Sequence, residues 1–219
     1  MSGVAGESSP RHPDRSHVPN VSPAKLVAPW SNLLHRSYDL ADMLAALQAS
    51  LIYSIMIHLD SKTTGQYAVQ LVLGQLQEMA YHLLMAAAIS TADIPSKVPD
   101  LESWVIASAA HRTVLAIYVF DCVVCFLHHI PVYTCDELDF IPAPVCRRLW
   151  EAGEYETWRE EYANWTKLWN GREVVMGELL NRYAVLHDCD RVEKWISEAD
   201  EFGMLIFAGS LLSLKNEQR

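Results

Sequence analysis

The residues best suited to chemistry lie in one apolar stretch, RTVLAIYVFDCVVCFLHHIPVYTCDEL, from Arg112 to Leu138. Carboxylates, thiolates and imidazoles, which this stretch carries, are the side chains that bind zinc. On a helix that turns about 100° per residue, they fall on two adjacent stripes: Asp121, Cys125 and His128 on one, and Cys122, Cys125 and His129 on the other. A metal site is therefore the first function to consider.

The spacing of the two cysteines argues against zinc. Structural zinc sites built on CxxC place the pair in a tight loop, with a second ligand pair about a dozen or more residues away. Here the spacer between Cys122 and Cys125 is two valines inside an apolar segment. We therefore expect both cysteines to be buried as small hydrophobic side chains, and we predict no metal ligands and no cofactor.

A second pair with chemical potential is Glu78 and His82, in EMAYH, one helical turn apart. Such a pair could bind a metal or exchange a proton, but the chain has no second pair of this kind. It also has no phosphate-binding Gly-rich loop, no nucleophile elbow and no HExxH. We expect a surface Glu and a half-buried His, and predict that the chain is not an enzyme and has no catalytic residues. The alternative is a small all-α metal-dependent enzyme that uses this pair with the Cys and His residues of the 112–138 stretch.

The same stretch could be taken for a membrane span. Its apolar run from Val114 to Leu127 is shorter than the roughly 20 residues that cross a bilayer, and its single charge, Asp121, lies at the middle, where burial in lipid is costly. We predict a core helix instead. On that helix Arg112 and Asp121, nine residues or about 900° apart, lie on opposite faces. Each, if buried, needs a partner on another element, whereas the alternative for Arg112 is to face water.

Apolar residues recur at three-to-four spacing and predict the helices that position these groups. The first helix has its apolar face from Leu40 to Ile55 and ends near DSKTTG. The second follows Gly65 and stops before STADIPSKVPD. Asp100 is the predicted N-cap of a third, from Leu101 to about His129.

Beyond the third helix, the prolines of IPVYTCDELDFIPAP exclude a continuous helix, and short helices follow in APVCRRLWEAGEYETWREEYANWTKLW. The segment from Arg172 to His187 has an apolar side and a possible ion pair between Glu178 and Arg182. A last helix, capped by Asp188 or Asp190, is expected to run to Leu214. No period-two pattern of useful length occurs, so the predicted fold class is all-α, without internal repeats.

Composition limits the classes of partner. With 17 basic and 27 acidic residues the formal charge is −10, and no basic run occurs, so we expect no direct contact of this chain with nucleic acid. Five cysteines and no N-terminal apolar signal segment predict a reduced, intracellular protein. Residues 1–28 are rich in Ser, Pro and Gly and predict a disordered tail or linker. Residues 29–215 are predicted to form a single multi-helix domain.

The order of residues from Trp104 to Trp158 resembles the fungal-specific transcription factor domain, the middle homology region of fungal zinc-cluster or zinc-finger regulators. The positions that carry the resemblance are Trp104, Arg112, Thr113, Asp121, Pro131, Glu137, Leu138, Pro142, Pro144, Leu149, Trp150 and Ala152. Ser108 and His111 depart from it, since the family favours Glu and Arg there. No six-cysteine cluster, finger spacing or basic segment accompanies the domain in this sequence.

The resemblance implies an all-helical regulatory domain that controls transcription in the nucleus and governs metabolic genes, including secondary-metabolite clusters. Its implied partners are the transcription machinery or a DNA-binding regulator, and a small-molecule effector. A further alternative to a transcription regulator is a helical interaction scaffold, with an exposed aromatic patch formed by Trp150, Trp158, Trp165, Trp169 and nearby tyrosines. We expect these aromatic residues to cover the core instead.

Overall fold

Helices form nearly all of the regular structure in the residues that the computed structural model describes: 39–60, 66–92, 98–130, 136–180 and 189–216. They are α1 (Leu40–Asp60), α2 (Gln66–Ala92), α3 (Leu101–His128), a 3-10 turn (Asp136–Phe140), α4 (Arg147–Trp150), α5 (Tyr155–Leu168), α6 (Met176–Leu179), α7 (Cys189–Glu198) and α8 (Glu201–Asn216). Over these ranges there is no β-strand, and the all-α prediction is confirmed. The tail predicted over residues 1–28 lies outside the described residues.

The third helix begins and ends where its sequence predicts. Asp100 has extended backbone, and its Oδ1 accepts a hydrogen bond of 2.9 Å from the backbone N–H of Ser103, which satisfies one of the free donors of the first turn. At the other end His129 adopts the left-handed conformation (φ 55°), and the N–H of Ile130 donates to the carbonyl of Cys125 at 2.9 Å. Local chemistry therefore sets both ends of α3.

Helices α1 and α2 pack against α3 and against each other. Gln48 of α1 donates to Thr113, and His58, near the end of α1, lies against Phe120 of α3, so these two helices are parallel. Helix α2 runs the other way, because its Gln77 contacts Asp121 and its earlier residue Val69 packs with Val124 and Cys125.

Helix α8 completes the packing around α3. Asp200, just before α8, binds Arg112, and Gly209 lies against Val119 one to two turns further along α3, so α8 is parallel to α3. The shared core contains fully buried leucine and isoleucine side chains from four helices: Leu47, Leu83, Leu115 and Ile206. Trp158 and Trp169 are also buried, and Trp150 and Trp165 are half-buried, so these tryptophans cover the core and form no exposed patch.

The predicted last helix is wrong in one respect, because two helices replace one. The chain leaves the helical conformation at Ala199 and Asp200. The Asp200 Oδ1 accepts the backbone N–H of Gly203 at 2.7 Å, and an Asp that binds the N–H groups of the following turn starts a new helix. Of the two predicted caps, Asp190 lies in the first turn of α7, and Asp188 lies outside the described residues.

The apolar side of the segment from Arg172 is the pattern of a helix, but residues 172–175 are not helical. Instead Val174 accepts the N–H of Ala143 at 2.8 Å, and the N–H of Met176 donates to Ile141 at 2.9 Å. The Glu178 carboxylate accepts from Arg191 Nε at 2.9 Å, so it does not depend on the predicted partner Arg182, which lies outside the described residues.

Two described helices are long and apolar enough to cross a membrane by length and composition: Leu40–His58 of α1 and Leu101–His128, the whole of α3. The length argument drawn from the 114–127 run therefore does not hold, because α3 extends beyond it. Of the most apolar window of α3, 56% is buried inside the protein, against 17% for α1. For α3, the packing of three neighbouring helices accounts for its apolar sequence.

Candidate functional site

A cavity of about 330 Å³ lies between the first half of α3, the extended segment 142–145 and α5. We call it the α3 cleft. Its lining residues are Pro99, Ser103, Trp104, Ala107, Ser108, His111, Arg112, Leu115, Pro142, Ala143, Pro144, Val145, Tyr162, Trp165 and Glu173. Its size and its mixture of aromatic, apolar and a few polar groups are typical of a small-molecule site.

Helical spacing positions the α3 side of the cleft. Trp104, Ser108 and His111 are four and three residues apart, so they lie on one face of the helix. The opposite wall, residues 142–145, is extended because prolines 142 and 144 exclude a helix. This wall is held by an isolated β-bridge between Pro142 and Val175 and by the indole N–H of Trp195, which donates to the carbonyl of Pro144 at 2.9 Å.

One end of the cleft is formed by a chain of aromatic rings. The ring centroids of Trp104 and Trp158 are 5.5 Å apart, those of Trp158 and Tyr162 are 5.3 Å apart, and those of Tyr162 and Trp165 are 5.9 Å apart. Rings at these separations attract one another beyond the burial of their area. Because Trp158 is fully buried, this wall is anchored in the core.

Three titratable groups of the cleft favour their neutral forms. Burial lowers the pKa of His111. Burial of the carboxyl group raises the pKa of Glu173, although the residue as a whole is exposed to solvent. Burial and then the nearby Glu173 carboxylate raise the pKa of Tyr162. Shifts of this kind, clustered in one cavity, are typical of functional sites.

The charge of Arg112, which also lines the cleft, is satisfied by the protein itself. Its Nη2 donates to Asp200 Oδ2 at 2.7 Å, and the two side chains are only 12% and 7% exposed. Its guanidinium carbon lies 4.0 Å from the centroid of Trp150. The prediction that a buried Arg112 finds its partner on another element is confirmed, and the alternative that it faces water is wrong.

Residues that carry the family resemblance come together at this cavity. Trp104, Arg112, Pro142 and Pro144 line it. Behind them, Trp150 lies against both Arg112 and Trp104, at a ring separation of 6.4 Å from the latter. Of the other positions of the series, Thr113, Leu138 and Leu149 are buried, but Asp121 and Leu138 line a different cavity. Pro131 lies outside the described residues.

The possible metal ligands of α3 are not arranged as a metal site. Cys122 and Cys125 are buried, as predicted, and burial together with the Asp121 charge raises the pKa of Cys125 to about 12. The Cys125 thiol donates to Asp121 at 3.5 Å, whereas a metal ligand must be a thiolate. His128 lies edge-on to His58, and His129 is exposed. In the part of the chain that the structure describes, no three such side chains are grouped to hold a metal.

Glu78 and His82 lie in different environments. Glu78 is exposed at the edge of a second cavity that His82 does not line. His82 is half-buried, and its ring lies beside that of Tyr81 at 5.9 Å. This is the surface Glu and half-buried His that their spacing predicts.

Sequence reasoning missed Tyr162 and Glu173 as site residues. Tyr162 lies in an acidic, aromatic helix that could face any partner, and Glu173 precedes two valines in a segment expected to be helical. For neither residue does the spacing in the sequence indicate a contact with α3. Comparisons with protein-family models, curated proteins and solved structures find no match to this chain.

Proposed function

We propose that this chain is the regulatory domain of a fungal-type transcription factor, which controls activity in response to a small molecule bound in the α3 cleft. One observation carries the proposal. Trp104, Arg112, Pro142 and Pro144, four of the twelve positions that carry the resemblance to the fungal domain, line a single cavity although they span about forty positions of the chain.

The chemistry of the cleft supports an effector site. Ser108, His111, Tyr162 and Glu173 supply donors and acceptors, and Trp104 and Trp165 supply flat apolar surface. Such a combination of apolar lining and few polar groups orients a small molecule while excluding water. The positions where this chain departs from the family, Ser108 and His111, both face the cleft, so the effector differs from one recognised by a Glu and an Arg.

A path from the cleft to the C-terminal helices runs through Arg112. This residue lines the cleft and binds Asp200, which in turn caps α8. A ligand that contacts Arg112 changes the environment of the junction between α7 and α8. Regulation requires an element with two states, whose balance both the effector site and the partner-binding surface influence. We propose that the junction between α7 and α8 is this element.

The net charge of −10 supports partners other than DNA, because a chain of this charge repels phosphate. We propose that the domain acts in the nucleus on the transcription machinery or on a DNA-binding regulator, and that its targets are metabolic genes, including those of secondary metabolism.

The test is a fusion of the full chain to a heterologous DNA-binding domain, with a reporter gene measured with and without extracts of candidate metabolites. We expect reporter output to differ from that of the DNA-binding domain alone, and to respond to at least one extract. Ala107→Phe, which fills the cleft, should abolish that response.

Ala163→Phe, on the exposed surface of α5, is the matched control and should preserve the response. Reporter output equal to that of the DNA-binding domain alone under all conditions would contradict a regulatory role. An equal response of the two variants would contradict the assignment of the effector site to the cleft.

A further inference from the structure

A second cavity, of about 320 Å³, lies between α2, α3 and the 3-10 turn. We call it the Asp121 cavity. It is lined by Gly74, Gln77, Glu78, Ala80, Tyr81, Leu84, Val114, Ile117, Tyr118, Asp121 and Leu138, none of which lines the α3 cleft. It needs a separate explanation.

The unusual feature of this cavity is a buried carboxylate whose hydrogen-bond donors are neutral. Asp121 is 4% exposed. Gln77 Nε2 donates to its Oδ2 at 2.9 Å, and the Cys125 thiol donates to its Oδ1 at 3.5 Å. A carboxylate has about four acceptor positions, so two donors do not saturate it. Burial raises its pKa, and the two hydrogen bonds only partly oppose this.

The opposite face of the same helix shows how this protein treats a buried charge that is fully compensated. There Arg112 and Asp200 form an ion pair at 2.7 Å. By contrast, the described residues that line the Asp121 cavity include no Lys, Arg or His. A buried charge without an opposite charge is costly, and a cationic ligand would remove that cost.

The remaining walls indicate which kind of cation would fit. Tyr81 and Tyr118 offer ring surface, which attracts cations, and Leu84, Val114 and Ile117 offer apolar surface. Glu78 adds a second carboxylate at the exposed edge. A calcium or magnesium ion is a poor fit, because each takes about six or more oxygen ligands and the described lining holds two carboxylates among mainly apolar residues.

We infer that the Asp121 cavity binds a small organic ammonium ion, whose charged nitrogen donates to Asp121 and whose apolar body lies against the tyrosine and aliphatic side chains. This inference does not depend on the proposed function of the α3 cleft. It gives Asp121 a role in ligand recognition, and this role explains why a carboxylate lies within an apolar helix.

The probe is benzylamine, with benzyl alcohol as a neutral molecule of nearly the same shape, titrated into the full chain by calorimetry at neutral pH. We expect saturable binding of benzylamine and binding of benzyl alcohol weaker by about tenfold or more, since the neutral hydroxyl lacks the positive charge that compensates the buried carboxylate. Asp121→Asn, which preserves the shape of the side chain, should weaken benzylamine binding to a similar extent. Glu160→Gln, on the exposed surface of α5 and outside both cavities, is the matched control and should leave it unchanged.

Circular dichroism of each variant shows whether it is folded. If Asp121→Asn does not fold, the comparison of amine and alcohol on the unsubstituted chain decides the question. The inference is overturned by the absence of saturable benzylamine binding at millimolar concentration, or by equal affinity for the alcohol. Unchanged benzylamine affinity in folded Asp121→Asn, or displacement of the amine by millimolar Mg²⁺, would overturn it equally.

Discussion

Arg112 and Asp121 are two charges on opposite faces of one helix, and the protein compensates them differently. Arg112 has a carboxylate at 2.7 Å and an aromatic ring beneath it, whereas Asp121 has an amide and a thiol. Replacing both members of a buried ion pair by apolar residues is often tolerated, whereas removing one member is not. This difference leads to one prediction for each residue. For Asp121 it is the binding of amines.

For the other face, we predict that Arg112→Met destabilises the protein by about 3 kcal/mol or more. The substitution leaves the Asp200 carboxylate buried without its cation, although Asp200 keeps its hydrogen bond to the N–H of Gly203. Urea unfolding followed by circular dichroism measures the change in the free energy of unfolding.

The matched control is Arg147→Met. Arg147 also pairs with a carboxylate near the start of α8, that of Glu201, but both side chains are largely exposed. Exposed pairs contribute little, so we expect the unfolding curve to be nearly unchanged. If the two variants lose the same stability, the ion pair of Arg112 is not the special contact that its burial indicates.

At the scale of elements, α3 is the central helix of the described fold. Helices α1, α2 and α8 pack against it, and the α3 cleft and the Asp121 cavity lie on different faces of it. Close packing requires a small residue where α8 meets α3. Gly209 supplies it, because a Cβ at this position would lie 2.8 Å from Val119 Cγ2.

We predict that Gly209→Ala destabilises the protein by about 1 kcal/mol net. Overpacking typically costs about 1–3 kcal/mol, and it outweighs the gain of about 1 kcal/mol in helix propensity. The branched Val119 side chain is stiff and cannot easily turn away. Thermal or urea unfolding measures the effect, and adding Val119→Ala should recover part of the loss.

Gly74→Ala, in α2, is the control for helix propensity alone, because nothing lies within 4 Å of the added Cβ. We expect it to stabilise the protein by up to about 1 kcal/mol. The two substitutions are chemically identical and should have opposite signs. Stabilisation by both would show that α8 and α3 are not in close contact at Gly209.

At the scale of the whole molecule, one core joins the early and late helices. Leu47 of α1, Leu83 of α2, Leu115 of α3, Met176 of α6 and Ile206 of α8 belong to the same cluster of buried side chains. A continuous core of this kind favours cooperative unfolding, in which no part of it melts separately.

We therefore predict that unfolding curves from tryptophan fluorescence and from far-ultraviolet circular dichroism coincide. Six of the seven tryptophans lie between Trp104 and Trp195, so fluorescence reports mainly on α3 to α7, whereas dichroism also reports on α1 and α2. Separate midpoints would show that the helices before and after α3 unfold independently.

The features of this protein that sequence alone determined are those governed by neighbours a few residues away. The Asp100 cap binds an N–H three residues along the chain, and the apolar spacing of α1, α2 and α3 follows from the period of the helix. The opposite placement of Arg112 and Asp121 also follows from that period, and so does the need of each for a distant partner.

The identity of those partners was decided only by the tertiary structure. Asp200 binds Arg112 across 88 positions, and its hydrogen bond to the N–H of Gly203 begins a new helix within a segment that is predicted as one helix. The α3 cleft likewise joins Trp104 to Tyr162 and Glu173, and the Gln77 amide that donates to Asp121 lies 44 residues away. Periodicity specifies which face of a helix is apolar, but not which other helix covers it, because that choice depends on the packing of the whole core.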